Sequence, residues 1–214
     1  MAPRAILFDF NGTLSDDEAI LYSIYAELFA EQGRPLSQPE YLDRLAGLAE
    51  RDLFETWLGA GHPELDRLIA ERVSRYRARV ADGTTISDPV RSAVRLAAAR
   101  IPVGIVSGAA RREIEPVVRA AGLEHAISFV VPGDEVRAGK PDPEGYERAL
   151  ELLGGVRAAD VVAFEDTEAG VESAKAAGLR VIALTTTVAP ERLARADVLV
   201  EAIDPASVEG LFRT

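Results

Sequence analysis

Four short stretches of the 214-residue chain hold side chains that could do chemistry together. Near the start, the apolar run Ala5-Ile6-Leu7-Phe8 leads into Asp9, followed by Phe10, Asn11, Gly12, Thr13 and Leu14. A second apolar run, Val103-Gly104-Ile105-Val106, ends in Ser107-Gly108. Lys140 sits in Gly139-Lys140-Pro141, and Glu165-Asp166 closes a fourth stretch. Carboxylates such as Asp9, Glu165 and Asp166 suit a hard divalent cation such as Mg²⁺, which takes oxygen ligands. Lys140 is a point charge suited to a phosphate or to a carboxylate nucleophile. Ser107 offers a hydroxyl beside backbone N–H groups near a helix start, an arrangement that receives anions. Each stretch also has a plainer reading. Asp9 to Gly12 could be a strand end with an Asx turn, Ser107 a helix cap, Lys140 a solvated loop residue and Glu165-Asp166 helix capping.

The elements that must position these groups follow from periodicity. Apolar runs of four to six residues read as strands buried on both faces of a parallel sheet. Strands are expected at 5–10, 101–106, 126–131, 160–164, 180–184 and 198–200. Helices are expected at 89–100, 111–121, 142–153, 168–177 and 205–212. Such alternation means parallel strands joined by crossover helices, which is an α/β fold with a Rossmann-like core. All four polar stretches then fall at or just after the carboxyl ends of strands, where open α/β sheets place ligands.

Residues 15–83 show no strand pattern. Helices are expected at 19–32, 42–46, 51–58 and 64–80, separated by Gly33, Pro35, Pro39, Gly47, Gly59, Gly61 and Pro63. Asp16, Asp17 and Glu18 read as first-turn acids of the first of these helices. Arg72, Arg75, Arg77 and Arg79 read as a solvated face, and His62 and His125 as surface residues. The expected organisation is therefore a core of residues 1–14 and 84–214, with a helical unit of residues 15–83 inserted after the first strand.

Composition narrows the function classes. The net charge of −11 argues against nucleic acid as a partner. Cysteine is absent from the sequence, so disulfides and thiolate metal sites are excluded. No apolar run reaches the length of a membrane span, so no membrane partner is expected. The first residues lack the layout of a signal peptide, and a cytoplasmic location is expected.

The four stretches together resemble the motifs of the haloacid dehalogenase superfamily, in the branch of β-phosphoglucomutase-like and phosphoglycolate-phosphatase-like hydrolases. Asp9-Phe10-Asn11-Gly12-Thr13-Leu14 is similar to the first motif, with Asp9 at the nucleophile position. Val103 to Gly108 is similar to the second, Gly139 to Pro143 to the third, and Phe164-Glu165-Asp166-Thr167-Glu168-Ala169-Gly170-Val171 to the fourth. The resemblance implies a Mg²⁺-dependent phosphatase of a small phosphorylated metabolite, acting through an aspartyl-phosphate on Asp9, with the helical unit as a cap. It implies metal held by Asp9, the backbone carbonyl of Asn11, Asp166 and Glu165. Ser107, Gly108 and Lys140 would hold the phosphoryl group. Arg51, within the loop 47–52, is the expected substrate contact in the cap. The chain is expected to act as a monomer.

One position departs from the pattern. The family's phosphatases carry a second aspartate two residues after the nucleophile, which protonates the leaving oxygen and then activates water. Here that residue is Asn11, whose amide cannot carry a proton at neutral pH. Loss of such a group typically costs ~10²–10⁴ in rate. The open alternatives are a phosphatase whose leaving group needs no proton or finds another donor, an engineered change made to slow the enzyme, and a weakened protein that only binds a phosphate ligand. The substitution weakens a sugar-phosphate mutase reading. The acidic pair Glu165-Asp166 speaks against a metal-free dehalogenase. The absence of any lysine between Ser15 and Gly83 excludes a phosphonatase that forms a Schiff base through a cap lysine.

Overall fold

The computed structural model describes residues 2–213. Six parallel strands form one sheet in the order β3-β2-β1-β4-β5-β6. They are β1 (Ala5–Phe8), β2 (Val103–Val106), β3 (Phe129–Val131), β4 (Val161–Glu165), β5 (Arg180–Leu184) and β6 (Val198–Val200). This is the doubly wound, Rossmann-like order, and β1 lies at its centre between β2 and β4.

Strand β1 is buried along its whole length, and its side chains alternate between two cores. Ile6 and Phe8 join one apolar cluster, Ala5 and Leu7 the other. Phe8 stacks on Phe164 of β4 with ring centroids 5.0 Å apart. Burying a phenylalanine of this kind contributes about 1.5–3 kcal/mol. The pairing Phe8↔Phe164 also brings the carboxyl ends of β1 and β4 level, where the chain reverses direction across the sheet.

Helices α1 (Glu18–Glu31), α2 (Gln38–Arg44), α3 (Glu50–Leu58) and α4 (Leu65–Arg79) follow β1. Tyr25, Phe29, Phe54 and Trp57 form an aromatic cluster among them, with centroids 5.3–6.2 Å apart. Trp57 Nε1 donates to the Arg34 carbonyl at 2.8 Å, which satisfies its one polar atom. The crossover helices are α5 (Asp88–Ala98), α6 (Arg111–Ala120), α7 (Glu144–Leu152) and α8 (Glu168–Ala176), and α9 (Pro205–Gly210) packs on α5.

Several element bounds differ from expectation, β1 ending at Phe8 rather than Phe10 among them, and three of the shifts have identifiable reasons. Helix α2 occupies 38–44 rather than 42–46, because Pro39 sits in its first turn, where no N–H partner is needed. Glu40 accepts from the Ser37 backbone N–H at 3.0 Å and fixes that start. Strand β3 begins at Phe129 rather than Ala126, since the N–H groups of Ala126 and Ile127 both close a turn onto the Leu123 carbonyl. Helix α7 begins at Glu144 rather than Asp142. Its first turn is held by Asp142, whose carboxylate accepts from the Glu144 N–H at 2.9 Å.

Candidate active site

Strand β1 stops at Phe8, and the Asp9 N–H donates to the Phe164 carbonyl at 2.9 Å. The chain then turns back on itself. Ser15 N–H donates to the Phe10 carbonyl and Gly12 N–H to the Ser15 carbonyl, both at 2.8 Å. Gly12 takes φ +73°, and a Cβ there would lie 2.0 Å from Asp166 Oδ2. Only glycine permits both this backbone angle and this close approach.

At the end of β4, Thr167 is the N-cap of α8, and its hydroxyl accepts from the Gly170 N–H at 3.2 Å. Glu165 and Asp166 are thus spared capping duty, and both are fully buried. Asp166 accepts from the Thr13 hydroxyl at 3.0 Å and from the Thr187 hydroxyl. Glu165 Oε1 accepts from the Tyr146 hydroxyl at 2.5 Å, while its Oε2 is buried without a hydrogen-bond partner. A Cβ on Gly170 would sit 1.9 Å from that orphan oxygen, so α8 needs a glycine to leave the carboxylate room.

Lys140 is not a solvated loop residue. Its side chain is only 13% exposed. Its ammonium contacts Asp9 Oδ1, lies 2.6 Å from Glu165 Oε1, and donates to the Val106 carbonyl at 3.2 Å. Burial lowers the Lys140 pKa, but the charges of Asp9 and Glu165 outweigh it and hold the group protonated. Ser107 is not the cap of α6, whose N-cap position is Ala110. The Ser107 Oγ accepts from the Ala109 N–H at 3.1 Å, which leaves its proton free to donate. Gly133 passes close under this loop, where a Cβ would lie 2.1 Å from the Gly108 carbonyl oxygen.

Asp9, Glu165 and Asp166 each present a carboxylate oxygen within 4.8 Å of the others. Burial raises all three pKa values, that of Glu165 to about 7, and Lys140 opposes the shift at Asp9 and Glu165. Three buried acids facing one ammonium leave an uncompensated negative charge. That excess, the orphan Oε2 and the two glycine-lined clearances fit a divalent cation held by oxygen ligands.

Above this cluster opens a cavity of about 540 Å³, bounded by Asp9, Ser107, Gly108 and Lys140 on the sheet side and by Glu18, Tyr25, Tyr41, Glu50, Arg51 and Arg72 on the helical side. The structure brings Asp9, Asn11, Ser107, Gly108 and Lys140 to this one cavity, and the Glu165–Asp166 pair to the carboxylate cluster beneath it. Arg51 reaches the rim, but its guanidinium pairs with Asp66 at 2.7 Å and with Glu55 at 3.9 Å.

Two expectations for the helical region are corrected. Arg72 does not belong to a solvated face. It is 6% exposed, pairs with Glu113 and with Glu50 (2.9 Å), donates to the Tyr25 hydroxyl at 3.0 Å, and lies over the Tyr25 and Tyr76 rings. Helix α6, which supplies Glu113, is distant in sequence, so helical periodicity alone held no sign of this partner. Asp17 is likewise no simple first-turn acid. It is fully buried, accepts from Asn11 Nδ2 at 2.9 Å and from the Tyr76 hydroxyl at 2.5 Å, and makes no side-chain cap bond to α1. Burial raises its pKa to about 6, against hydrogen bonds from Tyr76 and Asn11. The next residue, Glu18, lines the cavity and accepts from the Tyr41 hydroxyl at 3.0 Å. The signal for both was the run Asp16-Asp17-Glu18 so soon after Asn11. His125 is exposed and His62 half-buried, and neither lines the cavity.

Known proteins are similar to this chain in sequence and in fold. The profile of the family described as haloacid dehalogenase-like hydrolase matches residues 6–184. The chain is 34% identical to a validoxylamine A 7'-phosphate phosphatase of Streptomyces hygroscopicus subsp. limoneus, over 92% of this chain and 93% of that one. It is 33% identical to a phosphorylated carbohydrates phosphatase of Thermotoga maritima, over 82% of each. Among solved structures, CbbY from Rhodobacter sphaeroides in complex with phosphate superposes with a TM-score of 0.82 at 27% identity, covering 94% of this chain and 95% of that one. A variant of that protein has been solved with xylulose-(1,5)-bisphosphate.

Proposed function

Because the chain belongs to the haloacid dehalogenase-like hydrolase family, we propose that it is a Mg²⁺-dependent phosphatase of a small phosphorylated carbohydrate-like metabolite, with Asp9 as the nucleophile. The observation that carries this reading is the meeting of Asp9, Lys140, Glu165 and Asp166 in one buried cluster, of which Asp9 and Lys140 line the cavity. Names of relatives that act on phosphorylated carbohydrates support the substrate class.

Asp9, Glu165 and Asp166 would hold the cation, with the Asn11 backbone carbonyl beside them. Such an ion supplies charge neutralisation between an anionic nucleophile and an anionic phosphoryl group. The chain's own groups do the rest. Lys140 opposes the rise that burial imposes on the Asp9 pKa, and its ammonium adds a positive charge facing the phosphoryl oxygens. The Ser107 hydroxyl and the backbone N–H of Gly108 supply neutral donors on the β2 side. Asp9 Oδ attacks phosphorus to give an aspartyl-phosphate, and water then returns the carboxylate.

Residues 15–83 act as a cap in this reading, and residues 1–14 and 84–214 as the catalytic core. The cap walls the cavity with Tyr25, Tyr41, Glu18 and Glu50, which are hydroxyl and carboxyl groups suited to a polyol. Arg51 serves as a rim contact, exchanging Asp66 for substrate.

A panel of phosphorylated metabolites, assayed with Mg²⁺ and with EDTA, tests the reading. Phosphate release is expected with Mg²⁺ and is expected to vanish in Asp9→Asn. Mg²⁺-dependent binding without turnover in the wild-type protein would instead make it a phosphate-ligand binding protein.

A further inference from the structure

The Asn11 side chain is fixed with its amide nitrogen spent. Nδ2 donates to Asp17 Oδ2 at 2.9 Å and to the Tyr76 hydroxyl at 3.2 Å, and the Tyr76 proton goes to Asp17. This pattern leaves only Oδ1, an acceptor, for anything in the cavity. Asn11 can therefore orient a water or a hydroxyl, but it has no proton to give a leaving oxygen. Asp17 cannot fill the gap directly, being fully buried and absent from the cavity wall.

Glu18 is placed to do so. It follows Asp17, which touches Asn11, and it faces the same cavity as Asp9. Its carboxyl is anchored on one side by the Tyr41 hydroxyl at 3.0 Å, and its other oxygen has no hydrogen-bond partner among the described residues. We propose that Glu18, at the start of α1, is the general acid and base of this phosphatase, in place of the amide at position 11. The proposal rests on the phosphatase reading above.

The protonation state suits the task. Burial raises the Glu18 pKa to about 7, helped by the negative charges of Asp17 and Asp9 and opposed by Tyr41 and Arg72. The other charged groups lining the cavity are Glu50, Arg51, Arg112, Asp134, Arg137, Lys140 and Asp142. A catalyst poised near neutrality can both give and take a proton. In the first step the Glu18 proton passes to the bridging ester oxygen as the P–O bond breaks and the Asp9 O–P bond forms, so the alcohol leaves neutral. In the second, the Glu18 carboxylate takes a proton from water as the water oxygen bonds phosphorus and the Asp9 O–P bond breaks. Asp9 is again a carboxylate, Glu18 is again protonated, and inorganic phosphate departs.

The test is leaving-group dependence. Wild type, Glu18→Gln and Tyr41→Phe would be assayed with Mg²⁺ on 4-nitrophenyl phosphate, whose leaving group needs no proton, and on phenyl phosphate, whose leaving group does. In Glu18→Gln the ratio of the two kcat/KM values is expected to rise by ~10²-fold in favour of 4-nitrophenyl phosphate. The fall of phenyl phosphate kcat/KM above about pH 7 is expected to disappear with it. Because the ratio is taken within one preparation, a reduced folded fraction does not move it. In Tyr41→Phe, which removes a hydrogen bond that lowers the Glu18 pKa, that fall is expected to shift to higher pH. An unchanged ratio in Glu18→Gln, or an unmoved profile in Tyr41→Phe, overturns the role of Glu18 and leaves the phosphatase reading intact. Absence of Asp9-dependent turnover of 4-nitrophenyl phosphate in the wild type overturns both.

Discussion

Removing Mg²⁺ should make this protein more stable at pH 5 than at pH 8, the reverse of ordinary acid denaturation. Glu165 is the clearest source. Burial carries its carboxyl from 4.5 to about 7. A carboxyl raised in this way keeps its proton in the folded chain after the unfolded chain has lost it. Its contribution is therefore full below 4.5, falls as pH climbs, and is gone above about 7. At 1.36 kcal/mol per pH unit, that shift is worth about 3 kcal/mol. For a chain of this length the loss corresponds to roughly 6–12 °C in Tm. Asp17, Glu18 and Glu50, raised to about 6, 7 and 7, act in the same direction without a cation. The surface acids held low by arginine partners, such as Glu135 and Glu27, respond only below their ordinary range and leave this window clear. Calorimetry in EDTA across pH 5 to 8, repeated with Mg²⁺, is the assay. Cation binding needs the ionised carboxylates, so Mg²⁺ should restore most of the lost stability at pH 8 and little at pH 5. Glu165→Gln should make the EDTA profile shallower by about the Glu165 share, leaving the slope due to Asp17, Glu18 and Glu50. An EDTA profile that rises with pH, or a Mg²⁺ gain equal at both ends, would refute the reasoning.

Two further outcomes follow from buried charge. Arg72→Met strands Glu113, which is 1% exposed, and should cost about 3–5 kcal/mol in urea unfolding. Adding Glu113→Gln should recover at least half of that loss, and a double variant no better than the single one would show that the pair is not what holds α4 to α6. Asn11→Asp places a second carboxyl 2.9 Å from Asp17 Oδ2. It should lower Tm at pH 8 by more than at pH 5, and Asp17→Asn in the same chain should remove that difference.

The fold was largely open to reading from local pattern, because a strand buried on both faces leaves an uninterrupted apolar run and its end is marked by the first polar residue. Asp9, Ser107 and Glu165-Asp166 stand out in that way as candidates, and Lys140 by its place in the loop after the third strand. What local pattern could not separate was the side chain that caps a helix from the one beside it. Thr167, one residue past Asp166, performs the capping that local pattern assigns equally well to Glu165-Asp166. The helical region was the harder half. Its charged residues obey the same 3.6-residue spacing whether they meet water or another element, so Arg72 and Arg75 look alike in sequence. Arg75 pairs with Glu27, Glu31 and Glu71 at a partly exposed surface. Arg72, one turn earlier on the buried side, meets Glu113 across a sequence gap of 41 residues.

The same limit hid the answer to the one irregularity the sequence displayed. Asn11 is an amide where the resemblance of the first motif leads one to expect an acid, and as an isolated substitution it reads as a loss. In the folded chain the amide donates to Asp17, and the carboxyl following Asp17 opens into the cavity that Asp9 floors. An aspartate at position 11 would set a half-buried carboxyl against the buried Asp17, and one of the two would hold its proton to higher pH. An amide there removes that conflict and leaves Glu18, the more exposed of the two helix-start acids, free to titrate. The residue at 11 and the pair at 17 and 18 therefore have to be read together, as one redistribution of a single proton-carrying group.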